Sequence, residues 1–149
     1  YGKGMTKDFL FKLEYLAGEK DSNDRYFTVG FSNEADGIQS FESKGSSFRS
    51  AYHAPISGYL NTIKQSRVWK KGLPVSTYEN EDDINYYFRV RCDGDKPESC
   101  LYGKIYGNIE FGNRAVRFTY FLNPSIDDTN VEFDPKQNLF EDDRSEFKP

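Results

Sequence analysis

Histidine, tryptophan and methionine occur once each in this 149-residue chain, and cysteine occurs twice. One imidazole and two thiols leave a tetrahedral zinc site short of ligands. Alanine appears only five times and leucine eight times, so the best helix formers are scarce and a helical bundle or coiled coil is excluded. No run approaches the roughly 18 apolar residues of a membrane-spanning helix, and no signal peptide is recognisable. Basic excess is missing too. Residues 1–122 carry a net charge of +1 with scattered Lys and Arg, while residues 123–149 carry −5. A nucleic-acid footprint is therefore not expected.

Aromatic residues are plentiful: 13 Phe, 11 Tyr and 1 Trp. They favour strands, and with only 36% of residues apolar they supply most of the core. The length fits one domain spanning residues 1–149. A short flexible N-terminus and an acidic, solvated C-terminal tail are expected at its ends.

Hydrophobic alternation places a strand at Phe9–Leu16, with Phe9, Phe11, Leu13 and Tyr15 on one face, and another at Tyr26–Phe31. Gly37–Phe41 and Ser47–His53 are weaker strand signals. Gly58–Trp69 reads as a short helix or irregular crossing, because Tyr59, Leu60 and Ile63 fit helical spacing and Ser57 is a capping residue. Leu73–Asp83 reads as a loop. Residues 84–122 form the clearest unit, a three-stranded meander. Its apolar face carries Ile84, Tyr86, Phe88 and Val90, then Leu101, Ile105 and Ile109, then Val116, Phe118, Tyr120 and Leu122.

A two-residue turn at Gly112-Asn113 would pair Phe111 with Arg114, Ile109 with Val116, Gly107 with Phe118, Ile105 with Tyr120 and Gly103 with Leu122. Matching the apolar faces of the first two strands sets Phe88 against Ile105 and Cys92 against Leu101. Tyr86 and Phe118 then cover Gly107. Setting Cys92 against Cys100 would instead bring Phe88 to Lys104, and a regular ladder cannot satisfy both. The Asp-Gly-Asp-Lys-Pro-Glu-Ser stretch between Cys92 and Cys100 is turn chemistry. A disulfide closing this loop is the leading reading, and free thiols of a reducing compartment are the alternative.

The opposite face of the meander is the candidate site. Tyr87, Arg89, Arg91, Tyr102, Lys104 and Tyr106 combine flat rings with cations, as a surface for an extended glycan or an anionic ligand requires. The alternative is rings shielding Arg stems on a packed sheet face. In that register Arg89 faces Lys104, a like-charge pair that a ligand carboxylate or sulfate would relieve. Trp69 reads as core or interface, with a ligand platform as the alternative. His53, in Tyr-His-Ala-Pro, reads as structural, since no nucleophile elbow surrounds any Ser. No phosphate-cradling loop is present, and neither metal nor cofactor is implied.

Five strings resemble surface lipoproteins of gut Bacteroidetes: Ser50-Ala51-Tyr52-His53-Ala54-Pro55-Ile56-Ser57-Gly58-Tyr59, Tyr87-Phe88-Arg89-Val90-Arg91, Tyr102-Gly103-Lys104-Ile105-Tyr106-Gly107, Tyr120-Phe121-Leu122-Asn123-Pro124 and Val131-Glu132-Phe133-Asp134-Pro135-Lys136-Gln137-Asn138-Leu139-Phe140. The resemblance spans roughly residues 47–140. It implies export to the outer membrane or cell surface, a lipid anchor outside this chain, and order from Val131 to Phe140. The family is uncharacterised and has no established active site to carry over.

The expectation is an all-β domain, an antiparallel sandwich of seven or eight strands, with a barrel as the alternative. The expected function is non-catalytic ligand binding at the cell surface, with an extracellular glycan as one class of ligand. A structural or protein-interaction module of a surface assembly is the alternative, and an enzyme the distant third.

Overall fold

The computed structural model describes residues 6–17, 22–42, 52–70, 77–78, 84–94, 96–112, 115–132, 134 and 136. Among the described residues eight strands follow one another: β1 (Leu10–Ala17), β2 (Ser22–Gly30), β3 (Gly37–Glu42), β4 (Thr62–Lys70), β5 (Thr77–Tyr78), β6 (Ile84–Val90), β7 (Leu101–Phe111) and β8 (Val116–Leu122). They form two antiparallel sheets ordered β1-β2-β4-β5 and β3-β6-β7-β8. The architecture is a sandwich, not a closed barrel. On one side Ile38 and Leu60 exchange both backbone hydrogen bonds at 2.9 Å, tying β3 to the chain entering β4. On the other side β1 and β8 end their sheets.

The core between the sheets is built from the alternating positions. Phe27, Val29 and Phe31 meet Ile38, Tyr86, Phe88, Val90, Leu101, Ile105, Ile109 and Phe111. Rings tie the layers together: Phe27 stacks on Phe111 at 4.9 Å, and Phe9 meets Phe88 edge-on at 5.0 Å. The inward face expected of the meander is the observed one, except that Tyr120 is 46% exposed, its ring reaching only the rim of the core at 5.9 Å from Phe118.

Three local expectations are corrected. From Thr62 on, the segment expected as a short helix or irregular crossing is β4. Its inward positions include Gln65, whose amide donates to the Tyr86 hydroxyl at 2.8 Å, and this polar residue hides the two-residue period. The β6–β7 register lies two residues from the expected one: Tyr86 faces Ile105, Phe88 faces Gly103, Arg89 faces Tyr102 and Val90 faces Leu101. A two-residue shift keeps every side chain on its own face. Gly103 selects this register, since a Cβ there would run into the Phe88 ring and lie 2.6 Å from the Phe121 carbonyl oxygen.

Gly107 is not a covered glycine. It has φ +75° and open space at its Cβ position, and its N–H donates to Asn85 Oδ1 at 2.9 Å. It begins a bulge in which residues 107–109 stand opposite Phe118 alone. Beyond the bulge Glu110 faces Arg117 and Phe111 faces Val116 rather than Arg114. Before it, Ile105–Tyr120 and Gly103–Leu122 pair as expected.

Cys92 and Cys100 are joined in a disulfide. The expected conflict between this bridge and the apolar register disappears, because both cysteines lie beyond the final Val90–Leu101 pair. The loop they close contains a single 3₁₀ turn, Pro97–Ser99. Replacing both cysteines by alanine is expected to lower stability by roughly 2–3 kcal/mol, the loop entropy released to the unfolded chain. Urea melts measure the loss, and alkylation without reductant should label no thiol in the native chain.

The weaker strand signal at Ser47–His53 lies outside the described residues except for Tyr52 and His53. The same holds for most of the Leu73–Asp83 loop, where only the two residues of β5 are described, and for the chain after Lys136.

Candidate functional site

The outer face of the second sheet is covered. Residues 52–60 and 123–132 run across it and bond to each other: Ala54 N–H donates to the Thr129 carbonyl at 2.8 Å, and Val131 N–H to the Tyr52 carbonyl at 2.8 Å. The second segment is fastened to the sheet, with Asn123 N–H on the Tyr102 carbonyl at 2.9 Å and Asp127 N–H on the Cys100 carbonyl at 3.2 Å. Side chains of Asn123, Asp128 and Asn130 each accept from the backbone two residues on, which holds this polar segment in successive turns. Ala35, Ala54, Tyr87, Cys92, Cys100, Tyr102 and Val131 form a second small core beneath the cover, with Phe41 and Tyr59 packed against it.

Three of the six residues of the expected ring-and-cation platform lie under this cover. Tyr87, Tyr102 and Lys104 are buried, at 4%, 1% and 8% exposure. Tyr87 stacks on Phe41 at 4.1 Å, and the Tyr102 hydroxyl donates to the Pro97 carbonyl at 2.9 Å. Burial pushes both phenols above their ordinary pKa. Burial also lowers the pKa of Lys104, and the Glu132 carboxylate opposes that shift.

Arg89 is a clamp. Its Nε donates to the Ala35 carbonyl at 2.9 Å, its Nη1 to the Ile56 carbonyl at 3.2 Å, and its guanidinium lies 5.0 Å from the Tyr59 ring centre. Arg91 holds Asp8 through two hydrogen bonds of 2.9 and 2.8 Å. Of the six residues only Tyr106 and Arg91 are exposed. They do not form an open stacking surface, and the expected like-charge pair is absent because Arg89 faces Tyr102. One sequence signal pointed to the cover. Tyr86, Tyr87 and Phe88 are consecutive, and a strand with rings on both faces is buried on both.

His53 is exposed, with Nδ1 3.2 Å from the Thr129 hydroxyl and its backbone bridged to Asn130. Among the described residues no three His, Cys, Asp or Glu side chains converge to hold a metal. Buried Asp36 is structural. It accepts from Cys92 N–H at 2.9 Å and from the Asn33 amide at 3.1 Å, while burial raises its pKa. Trp69 lies in β4 opposite Asn23, and the reading of its side chain falls outside the described residues. No helix among the described residues is long and apolar enough to cross a membrane.

A row of exposed apolar side chains lies elsewhere, on β1, besides Tyr52, Ile56, Leu60 and Ile126 on the covering segments. Every side chain from Leu10 to Leu16 is exposed. Leu10, Phe11, Leu13, Tyr15 and Leu16 range from 42% to 57%. Phe11 reaches inward to Phe27 and Phe118, whereas Leu10 and Leu16 lie on the opposite face with Lys12 and Glu14, which form an ion pair at 2.9 Å. One edge of β1 is occupied by β2 along its whole length, and among the described residues no strand pairs with the other edge. An edge of eight residues, with apolar side chains on both faces and one Lys–Glu pair on the outer one, is a template for a further strand. No protein-family model, curated protein or solved structure matches this chain.

Proposed function

We propose that this domain is a non-catalytic protein-interaction module of an exported surface assembly, engaged through β1. The observation that carries this reading is the β1 edge that no strand among the described residues pairs with, with five large apolar side chains exposed on its two faces. Strand addition to such an edge takes its affinity from main-chain hydrogen bonds and its selectivity from alternate side chains. The Cys92–Cys100 disulfide supports an oxidising compartment. The glycan reading is less well supported, because Tyr87, Tyr102 and Lys104 are under cover.

Photo-cross-linking in cells that make the protein natively tests the proposal. A benzoylphenylalanine at position 16 is expected to give a protein adduct, and one at Ile126, exposed on the covering segment, is expected to give none. Absence of any protein adduct from positions 10 and 16 would overturn it.

A further inference from the structure

Resting on that reading, we infer that the strand docking on β1 is β1 of a second copy of this chain, antiparallel, with Leu13 on the two-fold axis. The chemistry of the strand, Leu-Phe-Lys-Leu-Glu-Tyr-Leu from position 10 to 16, is symmetric about Leu13. In this register Lys12 faces Glu14 of the second copy and Glu14 faces its Lys12, so two opposite-charge pairs form at once. Phe11 faces Tyr15, Leu10 faces Leu16, and Leu13 faces itself. Each pair joins like faces, so the apolar side chains on both sides of the strand meet apolar partners.

Neighbouring registers fail. Moving the axis to Lys12 sets Lys12 against its own copy and leaves Glu14 against Leu10. Moving it to Glu14 sets two carboxylates together and leaves Lys12 against Leu16. A one-residue slip reverses the faces and abolishes the two-fold. Only the register centred on Leu13 satisfies both charges. Joined this way, the β1-β2-β4-β5 sheets of two copies become one continuous sheet. The intrastrand Lys12–Glu14 pair already places both charges on one face, ready for the swap.

Analytical ultracentrifugation of the chain and two charge variants tests this. Lys12 and Glu14 are exposed, so Lys12→Glu and Glu14→Lys leave the fold intact, which circular dichroism verifies. The native chain is expected to dimerise. Each variant alone faces two like-charge pairs and should dimerise about tenfold more weakly or worse. A one-to-one mixture of the two variants should recover a heterodimer of native affinity, because each glutamate then faces a lysine. A native chain that stays monomeric at its highest soluble concentration overturns the inference, as does a dimer indifferent to both charges. A position-16 adduct with a different protein, alongside a monomeric native chain, would overturn self-pairing and leave the interaction module standing.

Discussion

Phe27→Ala is expected to lose about 3–5 kcal/mol of stability. The side chain is fully buried, and its ring lies 4.9 Å from Phe111 and 5.7 Å from Phe11. Phe27 sits on β2, which pairs with both β1 and β4, whereas Phe111 ends β7 in the other sheet. Removing the ring therefore opens a cavity between the layers instead of at their rim. Rigid strands on both sides limit collapse, which places the cost toward the upper end of the range. Tyr26, one residue earlier, points to the outer face and is 37% exposed. Tyr26→Ala should cost about 1 kcal/mol. Urea melts with unchanged slope separate the two, and equal losses would show that the faces of β2 are assigned wrongly.

Phe88→Ala is expected to cost a similar 3–5 kcal/mol, and it carries a sharper test of register. The ring is 1% exposed, lies over Gly103 and meets Phe9 edge-on. Gly103→Ala alone should cost about 1–3 kcal/mol, because the new methyl group would press into that ring and into the Phe121 carbonyl. In the double variant the ring is gone and the methyl group partly fills its space. The loss in the double variant should then fall short of the sum of the two single losses by about 0.5–3 kcal/mol, with the Phe121 carbonyl contact as the remaining strain. Strict additivity in a double-mutant cycle would mean that Phe88 does not face Gly103.

Side-chain period identifies faces, and the faces of the meander were legible on that basis. Tyr86, Phe88, Val90, Leu101, Ile105 and Ile109 are buried in the core between the sheets, and Ile84, Val116, Phe118 and Leu122 pack half-buried against it, whereas Tyr120 on the same face is 46% exposed. Period cannot distinguish registers that differ by two residues, because each preserves every face. That is why the apolar period sets Phe88 against Ile105, whereas in the structure Phe88 faces Gly103. The choice came from the space above a glycine, which exists only once two strands lie side by side. The bulge at Gly107 was illegible for a related reason. Its positive φ answers to the Asn85 side chain on a neighbouring strand, not to any local pattern.

The same division runs through the functional reading. Composition and alternation alone determined an all-β chain, the inward face of its best strands and a loop that a disulfide could close, while the choice of a sandwich over a barrel fell to the tertiary structure. The exposure of β1 and the cover over Tyr87, Tyr102 and Lys104 were decided by tertiary structure. Alternation tells which side of a sheet a residue occupies, but not what lies against that side. The covering segments are polar chains held by backbone hydrogen bonds and Asn and Asp turns, so they carry no hydrophobic period to announce them. Conversely, Phe9–Leu16 reads as an ordinary core strand, and only its place at the end of a sheet leaves it open to a partner.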